Sequence, residues 1–242
     1  QWAFNHSVDQ IRELWVADCV QAIDEGCSGC FIDRSNNLTV LNGSNPLSPF
    51  QAAQYAESHM QALTELNAQL AEKNAFAISN NEATLSIGTT TMMLEDFAAS
   101  EHCIETLQPV VERGLAVQAH AGDLPDGYPG AKNPCTDGDI NAMAAFLIGA
   151  GEQCYYHCAS VWFSNPEWPA VADPWLDWLP EYSRPLGTPV ANGTKGTDGI
   201  WRRTFSSGTK VAFDPTFNNG TIWWSDGTTN VGPVTSLTAH HA

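Results

Sequence analysis

Basic residues are scarce in this chain. Ten Lys and Arg stand against 27 Asp and Glu in 242 residues, a formal charge of −17. That shortage argues against nucleic acid and anionic membrane surfaces as partners, because both need a basic footprint. Long apolar runs are missing too: no window approaches the roughly 20 residues a membrane helix requires. The N-terminus shows no basic segment followed by an apolar core, so this chain is expected to carry no signal peptide. The Gly-x-Ser-x-Gly elbow, the Walker-type lysine loop, a dinucleotide fingerprint after a strand and His-Glu-x-x-His are all absent. No serine sits in a nucleophile context. The acids from Asp123 to Asp139 lie among glycines and admit a loop calcium in principle, but they lack EF-hand spacing. The expectation is a chain without metal or other cofactor.

What is present points to an oxidising compartment. Sequons occur at Asn5, Asn37, Asn42, Asn192 and Asn219, mostly in Gly/Ser/Asn-rich stretches. Seven cysteines agree with a secreted, extracellular protein. Cys27-Ser28-Gly29-Cys30 has redox or zinc-type spacing, and Cys154 and Cys158 with His157 would be the second ligand pair of a zinc site. Against a thioredoxin-like site, Cys30 leads into a strand and not onto a helix. Disulfides or buried thiols are the better expectation, and the odd count leaves one cysteine free or joined to another chain.

Hydrophobic spacing sets out alternating elements. Ile11, Leu14, Trp15, Cys19, Ala22 and Ile23 recur three and four apart, which predicts a helix over 7–25 with Ser7 as its cap and Gly26 at its end. Helices follow over 49–73, 99–113 and 137–150, and a short one from Trp175 to Tyr182. Strands are expected at Cys30–Ile32, Ala75–Ser79, Thr90–Leu94, Leu115–Ala119 and Tyr155–Val161. Strands alternating with long helices pair in parallel through right-handed crossovers. After Pro185, short strands at Trp201–Phe205, Lys210–Phe213 and Thr221–Trp224 are split by Ser-Ser-Gly and Asn-Asn-Gly turns. Residues 1–185 are therefore expected to form the α/β body, and 186–242 a small antiparallel β appendage.

Several apolar runs end in carboxylates. Gly29-Cys30-Phe31-Ile32 leads to Asp33, and Met92-Met93-Leu94 leads to Glu95 and Asp96. Acids at the mouths of successive buried strands are how a (β/α) barrel places acid/base groups on its C-terminal rim. Neighbours in a strand point to opposite faces, so only one of Glu95 and Asp96 faces a pocket, and the longer arm of Glu95 reaches a leaving-group oxygen more easily. Other rim candidates are Asn80, Asn81 and Glu82 after the next strand, His120 and Asp123, and Trp162. Amides and imidazoles hydrogen-bond sugar hydroxyls, and an indole face stacks on a pyranose. The plain alternative gives Asp33 and Asn80 structural duties as cap and turn, and His120 a structural hydrogen bond.

Together these segments resemble glycoside hydrolases with (β/α)8 barrels. The resemblance rests on Trp2-Ala3-Phe4-Asn5, Gly29-Cys30-Phe31-Ile32-Asp33-Arg34, Leu94-Glu95-Asp96-Phe97, Tyr182-Ser183-Arg184-Pro185-Leu186-Gly187 and Arg202-Arg203-Thr204-Phe205-Ser206-Ser207-Gly208. It implies a TIM-type (β/α) barrel that lacks its first one or two βα units in this chain, followed by the C-terminal β region. Those units would then belong to an N-terminal precursor fragment or another chain. It further implies Asp33 as nucleophile and Glu95 as general acid/base of a retaining mechanism, whose carboxyls lie about 5–5.5 Å apart. The substrate-binding set would be Asn80, Asn81, His120, Asp123 and Trp162, and the partner a polysaccharide or glycan. The alternative is a non-catalytic secreted glycoprotein that uses the same scaffold for carbohydrate binding or assembly.

Overall fold

The computed structural model describes residues 5–33, 35, 48–81, 85–121, 140–158 and 179–234, and the backbone alone of Asp96. Residues 1–4, Asn37, Asn42, Glu82, Asp123, Trp162 and Trp175 lie outside the described residues. The chain divides into two compact units, Gln1–Met93 and Leu94–Ala242.

The first unit holds α1 (Asp9–Asp24), β1 (Gly29–Ile32), α2 (Pro49–Glu72), β2 (Phe76–Asn80), a 3-10 turn (Leu85–Ile87) and the start of β3 (Thr91–Phe97). The expected Ser7 cap is corrected: Val8 occupies the N-cap without a side-chain bond. Ser7 instead donates from both its backbone N–H and its hydroxyl to Asn5 Oδ1, closing a turn ahead of the helix. α2 starts on a full capping box, Ser48 with Gln51, and Pro49 fills a first-turn position where no N–H is missed. Its stripe of Leu63, Leu66 and Leu70 is completely buried. Leu66 and Leu70 pack with Val16 of α1 and Ala77 of β2, and Ile32 joins them. Burying one such side chain stabilises by about 1.5–3 kcal/mol.

Strand register fixes the two faces of β1 and β2. They pair in parallel with Cys30 beside Ala77 and Ile32 beside Ser79. Ala77 and Ile32 face the helices, so alternation turns Phe31, Phe76, Ile78 and Asn80 the other way. On that opposite face Phe31 is 50% exposed and Phe76 40%.

The second unit adds α3 (Glu101–Glu112), β4 (Ala116–Ala121), α4 (Ile140–Gly149), β5 (Cys154–Cys158) and a 3-10 turn (Pro180–Ser183). Strands β6 (Thr194–Lys195), β7 (Trp201–Thr204), β8 (Lys210–Asp214), β9 (Asn219–Trp223) and β10 (Thr229–Val231) complete it. All ten residues of α4 are buried, because α3 packs on one side and β7 to β10 on another. A helix apolar all round belongs inside a protein. Contact is close: a Cβ on Gly220 would stand 2.6 Å from that of Ala144 and 2.9 Å from the Ile140 carbonyl. Arg203 closes the C-terminal end of α4. Its guanidinium donates to the carbonyls of Leu147 (3.1 Å) and Ala150, and to that of Ala191 at 3.0 Å. Burial pushes its pKa down.

Two sheets result, a parallel one in the order β1-β2-β3-β4-β5 and an antiparallel one in the order β10-β9-β8-β7-β6. The expected strands from Cys30 onward are all present. Barrel closure is not shown by the described residues. Two strands run further than expected: β3 continues through Glu95 to Phe97, and β4 includes His120. Polar residues at a strand mouth keep their ladder bonds, so polarity there did not mark an end. The short strands β6 and β10 had no hydrophobic signal of their own.

Candidate functional site

At the C-terminal end of β1 and β2 the first unit assembles a chain of polar contacts. Asp33 follows β1 directly, and Asn80 is the last residue of β2. Asn80 Nδ2 donates to Asp33 Oδ1 at 3.0 Å. Asn80 is 3% exposed, so this amide has few conformations available and holds the carboxylate in one place. Its own carbonyl accepts from the Ser35 hydroxyl at 2.9 Å. The Ser35 carbonyl in turn lies 3.3 Å from His59 Nε2. Asn81, by contrast, has φ 54°, is exposed, and its N–H donates to the Met93 carbonyl. It ends β2 as a turn residue.

Behind Asp33 sits an aromatic stack that sequence reasoning missed. His6 and His59 are both buried, with Nδ1 atoms 3.3 Å apart and rings nearly parallel. A carbonyl only accepts, so His59 Nε2 carries the proton toward Ser35, and one of the two facing Nδ1 atoms donates to the other. Tyr55 and Trp15 flank His6 at 6.4 and 5.4 Å. Arg12 donates to the His6 carbonyl and forms ion pairs with Asp9 and Glu65. Burial, then the charges of His59 and Arg12, hold His6 below its ordinary pKa. His59 lies on the apolar stripe of α2 and His6 one residue before Ser7. Nothing in their spacing announced a pair.

In the second unit, Glu95 is a half-buried residue within β3. His120 of β4 and His157 of β5 are register partners, with ring centroids 6.5 Å apart, near the C-terminal ends of both strands. Burial lowers the pKa of His157. His120 is buried and His157 half-buried, so the two imidazoles lie side by side within the sheet. His157 was visible in the sequence only as a companion of Cys154 and Cys158. Alternation with half-buried Tyr156, which packs on Phe97 and Phe146, would have turned it to the other face. Asp123 and Trp162 lie outside the described residues.

The cysteines settle differently from their spacing. Cys30 bonds to Cys19, and Cys27 stays free and exposed. Cys158 is also disulfide-bonded, whereas Cys154 and Cys103 are free thiols. Among the described residues both expected kinds occur, disulfide-bonded cysteines and the buried thiol of Cys103, and Cys27 and Cys154 are free as well. Burial pushes the Cys154 thiol up. The Cys27–Cys30 pair is therefore neither redox nor zinc-type, and among the described residues no group of three His, Cys, Asp or Glu is placed to hold a metal. Among those residues no helix is long and apolar enough to cross a membrane.

Comparison with known proteins supplies the family. The family model described as hypothetical glycosyl hydrolase family 15 matches residues 1–209. No curated protein sequence matches the chain. Among solved structures it is similar to Aspergillus fumigatus Ega3, determined in complex with galactosamine, at 15% identity and a TM-score of 0.49. That match covers 73% of this chain and 63% of the other, so the chain spans less than two thirds of Ega3. The chain belongs to hypothetical glycosyl hydrolase family 15, a glycoside hydrolase-like family.

Proposed function

We propose that this protein is a secreted glycoside hydrolase that cleaves a glycan with Asp33 and Glu95 as its two carboxylates. The observation that carries the proposal is the amide of Asn80 clamped on Asp33 at 3.0 Å, at the C-terminal end of two parallel strands. A buried amide that fixes a carboxylate at a strand mouth prepares it to attack an anomeric carbon, and its N–H stabilises the anion. Register sets Asn80 beside Met93, and alternation puts Glu95 on the same face of β3 as Met93. Glu95 is then directed as Asn80 is, and takes the role of general acid/base. Asn80, Asn81, His120, Asp123 and Trp162 complete the substrate-binding set, with His157 beside His120.

A TIM-type barrel is the scaffold that best accommodates this pair. The strand order runs without reversal, as in a singly wound sheet and unlike a doubly wound one. The face of β1 and β2 away from the helices carries Phe31 and Phe76, apolar residues of the kind that fill a barrel interior. β1 is an edge strand among the described residues, and its free edge would accept a further parallel βα unit. Secretion is supported by the sequons and by the disulfide-bonded Cys19, Cys30 and Cys158.

The test is stereochemical. Proton NMR of the first product formed from a cleaved glycan should show the anomeric configuration of the substrate, as two-step displacement demands. An inverted product would remove Asp33 from the role of nucleophile.

A further inference from the structure

Charge is distributed very unevenly along this acidic chain. Residues 1–183 hold five Lys or Arg against 24 Asp or Glu, a balance of −19. Residues 184–242 hold five against three, a balance of +2. The second segment contains the antiparallel sheet, whose two faces are sharply different. Trp201, Arg203, Phe205, Val211, Phe213, Ile222 and Trp224 are buried toward α4. The outward face presents Arg202, Thr204, Lys210, Trp223 and Thr229, all exposed.

Register brings the outward residues side by side. Lys210 is the cross-strand partner of both Thr204 and Trp223, and Trp223 of Thr229. Arg202 is next to Ala212, whose other neighbour is Thr221. Trp223 therefore stands between Lys210 on one side and the short Thr229 on the other. Trp223 is 44% exposed, and a groove of about 520 Å³ runs past it, Lys210, Thr204 and Arg202. Asp198 grips Arg202 by two hydrogen bonds, at 2.9 and 2.7 Å, which fixes the guanidinium on this face. Lys210 has no ion-pair partner among the described residues.

We infer that this face is a second carbohydrate-binding surface, which takes a carboxylate-bearing polysaccharide chain across Trp223 with Lys210 as its cationic anchor. An indole ring open to solvent can stack on the flat face of a pyranose. An ammonium group directly opposite that ring selects an acidic sugar. Of the five bases in this segment Arg203 is buried, and Arg184, Lys195 and Arg202 are paired with Asp226, Glu101 and Asp198, so Lys210 is the cation that this face offers an anionic chain among the described residues. The inference rests on the glycoside hydrolase proposal only for its choice of a polysaccharide.

The experiment is affinity gel electrophoresis of the full chain in polygalacturonate, with dextran as neutral polymer and polyglutamate as a soluble polyanion competitor. Polygalacturonate should retard the protein, dextran should not, and polyglutamate at equal charge should fail to displace it. Trp223→Ala and Lys210→Ala should each weaken binding roughly tenfold, as expected of central anchors. Phe217→Ala, an exposed change in the turn between β8 and β9, should leave it unaltered. Circular dichroism and melting temperature identify any variant that has unfolded. The inference is overturned by no retardation, by equal retardation in dextran, by displacement with polyglutamate, or by unchanged binding of a folded Trp223→Ala. Hydrolysis without retardation sinks this inference alone; retardation without hydrolysis sinks the catalytic proposal alone.

Discussion

Asn80 donates its side-chain amide to the carboxylate of Asp33 at 3.0 Å, from a position that is 3% exposed. The two residues end neighbouring parallel strands, so the sheet itself sets their separation. If Asp33 is the reacting carboxylate, Asn80 positions it. Replacing Asn80 by Ala removes a hydrogen bond to a charged group, of about 1.5–3 kcal/mol. The expected result is a fall in kcat/KM of about 10–100-fold. Steady-state kinetics on a cleaved glycan, with the melting temperature as control, separates this from a loss of folding.

The histidine pair gives a pH dependence. His6 is held below its ordinary value of 6.5 by burial first, then by the charges of His59 and Arg12. Tyr55 packs against it as well, itself pushed up by burial. Because the folded value is depressed, the unfolded chain binds more protons below pH 6.5 than the folded chain does. Stability from the neutral His6 is complete above that pH and is lost as pH falls through it toward the lower folded value. Urea midpoints between pH 8 and 5 should fall in the wild type and fall less in His6→Phe. Parallel curves would exclude the pair as the cause.

Arg203 should be critical to the second unit. Its guanidinium serves the carbonyls of Leu147, Ala150 and Ala191 from a buried position. Arg203→Met fills similar space but leaves buried acceptors without donors, each costing about 1–3 kcal/mol. The urea midpoint should drop by more than for Arg202→Met, since Arg202 is half exposed and paired to Asp198.

Glycan attachment should distinguish the described sequons. Asn5 and Asn192 are exposed. The Asn219 amide is half-buried in β9 and donates to the Gly232 carbonyl at 2.7 Å. Expressed through a secretory pathway, the chain should carry glycans on Asn5 and Asn192 and none on Asn219, by peptide mass spectrometry. A glycosylated Asn219 would show that modification precedes closure of this sheet.

The alternating body was legible because each helix carries its own stripe, as Leu63, Leu66 and Leu70 do, and each strand a short apolar run. Asp33 stood out because it ends such a run. What stayed hidden depends on contacts between distant residues. His6 meets His59 across 53 positions, and His157 meets His120 only through strand register. Cys30 bonds to Cys19 and not to its near neighbour Cys27, because α1 lies against β1. Spacing along a chain cannot report such meetings. It also misjudged where β3 and β4 end, since rim residues are polar and still in the ladder.

The central claim is that Asp33 and Glu95 perform the chemistry. The most direct measurement is kcat/KM of Asp33→Asn on a glycan that the wild type cleaves, with Glu95→Gln assayed beside it. The account predicts losses of at least about 10²–10⁴-fold in each, with unchanged circular dichroism and melting temperature. Rates within threefold of the wild type in either folded variant would contradict it.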